Sequence, residues 1–313
     1  APEAALGAWL REAEREMEPH RTAGTYRGFD GTELPWQAVH ADRPRAHVVL
    51  LHGFTEFPEK YRELCRYLRQ AGCTVWLPVL RGHGQGGIVH VDRFEDYVRD
   101  IACFLRDIVP ERPLLFGHSM GGGVAARLLQ ELPDCAARAV LCSPMLCPQT
   151  GRAPHWLALG CARALLRRGE REKSPLFSGA YDPNAEFSCS GCTSRARFRA
   201  AMDCRAECPA YQTMGASNRW VYESLALRSR VLSPRACRRV QVPVLVCSAG
   251  RDTQVSLREQ RLLAARLPQG RLLEFPEEKH ELYNAGNAGL AAFLCAVLEF
   301  FGLTAGYGKE ETK

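Results

Sequence analysis

The 313-residue chain has no apolar run that approaches the ~20 residues needed to cross a bilayer. It has no secretory signal pattern, and because it begins Ala1-Pro2 without Met, we expect a trimmed or engineered start from which an upstream segment could have been removed. It has no internal repeat, low-complexity tract or recognised nucleic-acid-binding module, which argues against a nucleic-acid partner. The remaining composition, 46% hydrophobic and 24% charged, is that of a soluble globular protein.

Cysteine is plentiful, with fourteen residues spread through predicted strands and helices, where it acts as a small apolar side chain. Disulfide frameworks belong to small secreted chains, so we expect free thiols and a cytoplasmic location. Cys189 and Cys192 have the spacing of zinc ligands, but Cys204 and Cys208 are one residue too far apart for the commonest pattern. Free thiols are therefore favoured there over a structural zinc or a local disulfide.

Apolar periodicity predicts an amphipathic helix over residues 5–17, then two alternating strands joined around Asp30-Gly31, a strong hairpin signal. From residue 45 onward, continuous apolar strands alternate with helices, which indicates right-handed crossovers and a mostly parallel sheet with helices on both faces. The predicted strands are 47–51, 74–80, 114–116, 139–142, 243–247 and 271–275, and the predicted helices are 61–68, 92–108, 124–129, 256–267 and 291–301.

The strand–helix alternation stops at Pro144 and returns at Val242. Residues 148–235, called the cap below, form a segment too long for a simple loop. We predict that it is an inserted helical segment. We expect them above the carboxyl edge of the sheet, where folds of this type place their sites. Residues 1–147 and 236–303 would then form the core, and residues 304–313 a disordered tail.

Positive charge is concentrated in the cap. Residues 149–235 hold 14 Lys and Arg against 7 Asp and Glu, whereas the whole chain carries a net charge of +6. Arg163, Arg167, Arg168 and Arg171 share a predicted helix with Trp156 and several leucines. Such a helix is either a solvated face or a peripheral contact with anionic membrane.

The segment Gly117-His118-Ser119-Met120-Gly121 directly follows an apolar strand and precedes a predicted helix. A serine with glycines two residues away on both sides fits a sharp strand-to-helix turn that exposes its hydroxyl group. We predict Ser119 as a nucleophile.

A serine needs a base and an acid to be activated, and on this kind of fold they follow it in the order acid, then histidine. Asp252 directly follows the strand at 243–247, and His280 follows the strand at 271–275. The alternative acid position, after Cys142, holds no carboxylate. We predict Ser119, Asp252 and His280 as a triad, and Glu277, Glu278 and Glu281 as solvated residues.

The oxyanion of a tetrahedral intermediate needs fixed N–H donors. We predict the backbone N–H groups of Met120, just after the nucleophile, and of Phe54, in the loop after the first long strand. In that loop Gly53 allows close approach of the backbone, and His52 is expected to brace the loop rather than act as a base. Gly53, His52 and His118 are also predicted to contact substrate.

The ordered set of motifs resembles the α/β-hydrolase superfamily, and within it the lysophospholipase and monoacylglycerol lipase group of serine hydrolases. Two cap segments, Ser194-Arg195 and residues 220–224, resemble bacterial lysophospholipases more loosely, while the cysteine-rich stretch 189–208 departs from the pattern. The matching segments are Leu51-His52-Gly53-Phe54 with Lys60-Tyr61, Leu80-Arg81-Gly82-His83-Gly84, Gly117-His118-Ser119-Met120-Gly121-Gly122, Gly250-Arg251-Asp252 and Lys279-His280-Glu281.

The resemblance implies an α/β-hydrolase fold and an esterase that cleaves lysophospholipids or monoacylglycerols through an acyl-enzyme, without metal or organic cofactor. A short-chain or xenobiotic carboxylesterase, a peptidase-like acyl hydrolase and a non-catalytic ligand-binding fold are the alternatives. The acyl pocket is expected in the cap, although each candidate could equally belong to the cap's own core. The candidates are Trp156, Leu157, Phe177, Phe187, Tyr211, Trp220 and Tyr222.

Overall fold

The computed structural model describes residues 3–174 and 180–304 and is built around an eight-stranded sheet. The sheet order is β1-β2-β4-β3-β6-β7-β9-β10. The pairs β1–β2 and β2–β4 are antiparallel, and all other neighbouring strands of this sheet are parallel. The strands are β1 (Arg21–Arg27), β2 (Glu33–Val39), β3 (Ala46–Leu51), β4 (Cys73–Pro78), β5 (Gly87–Val89), β6 (Leu114–His118), β7 (Arg138–Cys142), β8 (Thr213–Ala216), β9 (Val244–Ala249) and β10 (Gly270–Phe275).

The predicted hairpin is β1–β2, and it turns at Gly31, whose φ of +85° suits a residue without a Cβ. The central strands β4, β6 and β9 are buried along their whole length. Helices cover both faces of the sheet, so these strands carry apolar side chains in both directions.

Six helices form the two outer layers. Buried side chains of α3, α4 and α9 pack against one face of the sheet, and those of α1, α2 and α10 pack against the other. The final helix begins at residue 287, earlier than the predicted 291. The bounds are α1 (Leu6–Met17), α2 (Arg62–Gln70), α3 (Phe94–Asp107), α4 (Met120–Glu131), α9 (Leu257–Arg266) and α10 (Asn287–Phe301).

Between β7 and β9 the described residues form the helices α5 (His155–Arg167), α6 (Arg195–Glu207), α7 (Asn218–Val231) and α8 (Pro234–Cys237) and the strand β8. Because α5 ends at Arg167, Arg168 and Arg171 lie beyond the helix on which they were predicted. The predicted pocket residue Phe177 and the tail from residue 305 lie outside the described residues.

The sequence does not predict β5 or β8, which form a two-stranded parallel sheet between the core and the cap. The cap is also joined to the core by a buried ion pair, in which Nε of Arg197 lies 2.7 Å from Oε2 of Glu63. Helix α7 also packs against α3 and α4 of the core. None of the helices in the described part of the chain is both long and apolar enough to cross a membrane.

Candidate active site

Ser119 lies on the turn between β6 and α4 in a conformation that L residues rarely adopt, with φ +50° and ψ −116°. Its N–H donates to the carbonyl oxygen of Cys142 at 3.0 Å, and its own carbonyl accepts from the N–H of Met145 at 2.7 Å. These two bonds, one to the last residue of β7 and one to the segment after it, hold the strained residue in place.

The glycines of the motif are required because backbones meet there. A Cβ atom on Gly121 would lie 2.1 Å from the carbonyl oxygen of Leu51, and one on Gly117 would lie 2.6 Å from that of Gly121. Neither distance is sterically possible without movement of the backbone. The spacing Gly-x-Ser-x-Gly therefore reflects the close approach of α4 to β3 and β6.

The predicted acid and histidine are in contact. Nδ1 of His280 lies 2.6 Å from Oδ2 of Asp252, and Oδ1 of Asp252 accepts from the N–H groups of Gln254 and Val255 at 2.7 and 3.1 Å. Burial by itself raises the pKa of Asp252, but the hydrogen bond and charge of His280 and the two N–H donors hold it below its ordinary value. The carboxylate is therefore ionised and can only accept, so Nδ1 of His280 carries the proton of this hydrogen bond.

Ser119 and His280 line the same cavity, whose volume is about 320 Å³. The imidazole of His118, the residue before Ser119, contacts that of His280, with ring centroids 4.8 Å apart. The structure thus brings the predicted Ser119, Asp252 and His280 to one edge of the sheet. Gly53, Phe54 and His118 from the predicted set also line this cavity.

The loop that carries Phe54 is held by two buried histidines. Nε2 of His52 accepts from the N–H of Leu80 at 3.0 Å, so its Nδ1 donates to the carbonyl of Gly53 at 2.8 Å. Nε2 of His83 accepts from the N–H of Thr55 at 3.2 Å. His52 is buried and is not among the residues that line the cavity, and its hydrogen bonds agree with the expected bracing role, while its contact with substrate stays a prediction.

The backbone N–H groups of Phe54 and Met120 have no hydrogen-bond acceptor among residues 3–174 and 180–304. Met120 is the first residue of α4, where N–H groups lack partners within the helix. Both groups are therefore candidate donors to a ligand oxygen, and of the two residues Phe54 lines the cavity.

A cluster of charged side chains borders this cavity. The sequence patterns did not predict this cluster. Nζ of Lys60 lies 2.6 Å from Oε1 of Glu56 and 2.9 Å from Oε1 of Glu281. Glu56 also accepts from the N–H of Gly53 at 2.7 Å and from the hydroxyl of Tyr283 at 2.7 Å. The prediction of a solvated Glu281 is wrong, since its side chain is only 14% exposed.

Burial and ion pairing have opposite effects on the pKa values of this cluster. Burial would raise the pKa of Glu56 and lower that of Lys60, but their mutual attraction keeps both charged, with the pKa of Glu56 well below and that of Lys60 above its ordinary value. Burial also lowers the pKa of His118 to about 4, so His118 is neutral at pH 7. The cavity that holds Ser119 is thus lined by a charged Glu56 and Lys60 and a neutral His118.

The cap contributes the outer wall of the cavity mainly through α6. Phe198, Ala201, Met202 and Arg205 follow helical spacing on one face of α6 and line the cavity. The apolar residues Phe198, Ala201 and Met202 recur at helical spacing among arginines. This pattern could have predicted that one face of α6 lines the cavity.

Most of the predicted cap aromatics do not line the cavity. The side chain of Trp156 is on the surface, 72% exposed, and Tyr222 lies between Arg163 and Arg219, which contact its ring. Leu157 is exposed and Phe187 packs on Phe198. Tyr211 and Trp220 pack instead against Phe57 and Phe54, as described below. The two exposed residues thus face solvent, and Phe187, Tyr211 and Trp220 contact side chains that themselves line the cavity.

All fourteen cysteines are free thiols, including Cys189, Cys192, Cys204 and Cys208. Within the described ranges, no group of three or more His, Cys, Asp or Glu side chains is arranged to hold a metal ion.

The strand order, the serine on its strained turn and the Asp–His pair at the carboxyl edge of the sheet define an α/β hydrolase. Residues 42–286 match the family Hydrolase_4, described as serine aminopeptidase, S33, and the chain belongs to this family. The expected fold class is therefore confirmed.

The relatives carry the names that the sequence resemblance indicated. Lysophospholipase L2 of Escherichia coli is 29% identical over 291 residues, which cover 85% of this chain and 82% of that protein. Monoacylglycerol lipase of Mycolicibacterium smegmatis is 28% identical over 146 residues, which cover 44% of this chain and 52% of that protein. The crystal structure of Paleococcus ferrophilus monoacylglycerol lipase superposes with a TM-score of 0.70 at 23% identity, covering 87% of this chain and 100% of that chain.

Proposed function

We propose that this protein is a serine ester hydrolase that cleaves the single acyl chain of a lysophospholipid or a monoacylglycerol. The observation that carries this proposal is the position of Ser119 and the Asp252–His280 pair at one cavity whose cap side is lined by Phe198 and Met202. Family membership and the resemblance to proteins named lysophospholipase and monoacylglycerol lipase support it.

In the proposed reaction, Oγ of Ser119 attacks the ester carbonyl while Nε2 of His280 takes its proton. The ionised Asp252 stabilises the imidazolium that forms and keeps the ring oriented. The oxyanion would accept hydrogen bonds from the N–H groups of Phe54 and Met120.

Collapse of this intermediate expels the alcohol, which receives the proton from His280 and leaves an acyl group on Ser119. A water molecule, deprotonated by the same imidazole, then attacks the acyl-enzyme and releases the fatty acid.

A short-chain or xenobiotic carboxylesterase is the second candidate, favoured by the modest volume of about 320 Å³ and by the charged side chains of Glu56, Lys60, Glu281 and Arg205 in the lining. Measuring kcat/KM on a series of p-nitrophenyl esters from acetate to palmitate distinguishes the lipid hydrolase from the short-chain esterase. Ser119→Ala is the inactive control. A kcat/KM that rises toward long chains, together with hydrolysis of lysophosphatidylglycerol or monoacylglycerol, supports the lipid substrate. Loss of activity beyond butyrate would overturn it.

A non-catalytic ligand-binding protein is the remaining alternative. A fluorophosphonate probe reacts with activated serines, so labelling of the wild type at Ser119 supports catalysis. Folded protein that takes up no probe would instead favour binding alone.

We also propose that the outer face of α5 rests on anionic membrane. Trp156 and Leu157 are 72% and 42% exposed at its start. Arg163 and Arg167 are exposed toward its end, and Arg168 is exposed directly after it. An exposed tryptophan beside several cations is the composition of an interfacial helix. The division into a core at 1–147 and 236–303 and a cap at 148–235, and the cytoplasmic location, remain predictions that limited proteolysis and cell fractionation test.

A further inference from the structure

Taking the ester hydrolysis proposed above as given, we propose that the cap positions the oxyanion donor of the core. Three cap residues, Arg205, Tyr211 and Trp220, contact the loop of residues 53–57, called loop 53–57 below. They act through this loop on the direction of the Phe54 N–H group, and they are positioning residues for the reaction.

The first contact is made on the side chain that adjoins the donor. The ring of Phe54 packs against that of Trp220 on α7, with centroids 4.1 Å apart and ring planes 32° apart. Trp220 is itself fixed, because its Nε1 donates to the hydroxyl of Tyr97 at 3.1 Å. The orientation of Phe54 therefore depends on a helix of the cap.

The second contact is made on the backbone of the next residue. Nη2 of Arg205 donates a short hydrogen bond to the carbonyl oxygen of Thr55, and its Nε donates to the carbonyl of Tyr211 at 2.8 Å. Thr55 has a φ of +57°, an unfavourable conformation for a β-branched residue. The guanidinium and the core residue His83 thus hold Thr55 from its two sides, at its carbonyl and at its N–H.

The third contact closes the far end of the loop. The rings of Phe57 and Tyr211 are stacked, with centroids 4.3 Å apart and planes only 7° apart. Cap residues therefore contact loop 53–57 at Phe54, Thr55 and Phe57. On the core side, His52 donates to the carbonyl of Gly53, and the hydroxyl of Tyr61 accepts from its N–H at 3.2 Å.

The loop is thus held by contacts from the core on one side and from the cap on the other. Without the contacts from the cap, the strained backbone of Thr55 can relax, and a rotation there moves the N–H group of Phe54. Displacement of an oxyanion donor by about 1 Å lowers the rate of the chemical step on the order of a hundredfold.

Arg205 also lines the cavity, where a bound substrate could meet its guanidinium. A direct contact with an anionic head group is therefore the competing role. Positioning lowers kcat for every substrate, whereas recognition of a phosphate raises KM for phosphate-bearing substrates alone.

The test compares Arg205→Met and Arg205→Lys with the wild type on 1-monoacylglycerol and on lysophosphatidylglycerol of the same acyl chain. We expect Arg205→Met to lower kcat about ten- to a hundredfold on both substrates with KM within twofold. Arg205→Lys should recover part of the loss, since an ammonium can still donate to the carbonyl of Thr55. Arg199→Met, an exposed arginine on the same helix, is the matched control.

The rate of fluorophosphonate labelling at Ser119 gives a readout that needs no lipid substrate, because the phosphoryl oxygen of the probe occupies the oxyanion site. Labelling should slow by the same factor as kcat. If the wild type hydrolyses neither lipid, the substrate assignment fails while the labelling ratio still measures the loop. Unchanged kcat and labelling in Arg205→Met, or a KM increase confined to lysophosphatidylglycerol, would overturn the positioning role.

Tyr211→Leu serves if Arg205→Met does not fold. It removes the stacking on Phe57 and leaves the carbonyl that Arg205 binds. The same kcat loss on both substrates, without a change in KM, is expected, and full activity would contradict the role of the cap.

Discussion

The carboxylate of Asp252 lies 2.6 Å from Nδ1 of His280, and its other oxygen is bound by two backbone N–H groups. An amide at position 252 can present N–H to Nδ1, which favours the wrong tautomer of the imidazole. We therefore expect Asp252→Asn to fold and to lose about three to four orders of magnitude in kcat.

Hydrolysis of a p-nitrophenyl ester measures this loss, and circular dichroism verifies the fold. Asp107→Asn, at an exposed aspartate on α3, is the control and should keep full activity. A loss of less than tenfold would assign the acid to another residue.

Gly121 is required by the approach of α4 to β3. Since a Cβ there would lie 2.1 Å from the carbonyl oxygen of Leu51, Gly121→Ala must displace the backbone next to Met120. We expect the free energy of unfolding to fall by about 2–3 kcal/mol or more, and the rate of fluorophosphonate labelling to fall with it.

Gly160→Ala is the matched control for Gly121→Ala. Gly160 lies on α5, and nothing lies within 4 Å of the position of its Cβ. This variant should gain about 0.5–1 kcal/mol, as expected for an exposed helical glycine. Urea unfolding measures both changes, and equal stability of the two variants would refute the steric requirement.

Buried neutral histidines make the fold sensitive to acid. Burial lowers the pKa of His118 to about 4 and that of His83 to about 3, from an ordinary value of 6.5. Between these values the unfolded chain binds more protons than the folded one, so the free energy of unfolding falls as the pH drops below 6.5. Each such histidine contributes up to about 1.4 kcal/mol per pH unit.

His118→Gln should therefore flatten the fall in unfolding free energy between pH 6.5 and pH 4, whatever it does to stability at pH 7. His20→Gln, at a side chain that is 33% exposed, is the control. Urea titrations at a series of pH values measure the slope. An unchanged slope in His118→Gln would mean that this imidazole is charged in the folded chain.

The basic end of α5 gives a membrane prediction. Reversing Arg163, Arg167 and Arg168 to Glu should weaken adsorption to vesicles that contain phosphatidylglycerol, because each cation near an anionic surface contributes about 1 kcal/mol. Cosedimentation measures the adsorption, and neutral phosphatidylcholine vesicles should show no difference.

A control with the same change in net charge reverses Arg43, Arg258 and Arg271, which are exposed on the core. If both triple variants lose adsorption equally, the attraction depends on total charge and not on α5. Unchanged adsorption of the α5 variant would leave that helix as a solvated face.

Residues whose positions follow from chain order could be predicted from sequence. Ser119, Asp252 and His280 each follow a recognisable strand, and parallel strands bring their carboxyl ends to one edge of the sheet. The glycine spacing around Ser119 could be predicted as well, since close backbone approach is a local requirement.

Features that depend on contacts between distant segments could not be predicted. β5 and β8 are too short to show a periodic pattern and are joined only by pairing across the chain. An aromatic residue such as Trp220 is apolar whether it faces the cavity or the back of loop 53–57, so composition alone does not decide its direction. The burial of Glu281 likewise depends on Lys60, which lies far away in the sequence.

The pairing of β5 with β8 makes the cap part of the backbone network of the core. The N–H of Gly86 donates to the carbonyl of Ala210, and the N–H of Ser217 donates to that of Val89, so the ladder is continued at both ends. If the cap moved away from the core as a rigid body, the hydrogen bonds of this ladder would break, which is a step of partial unfolding. The rate at which these bonds break then sets an upper limit on the rate of entry of any molecule too large for the closed cavity.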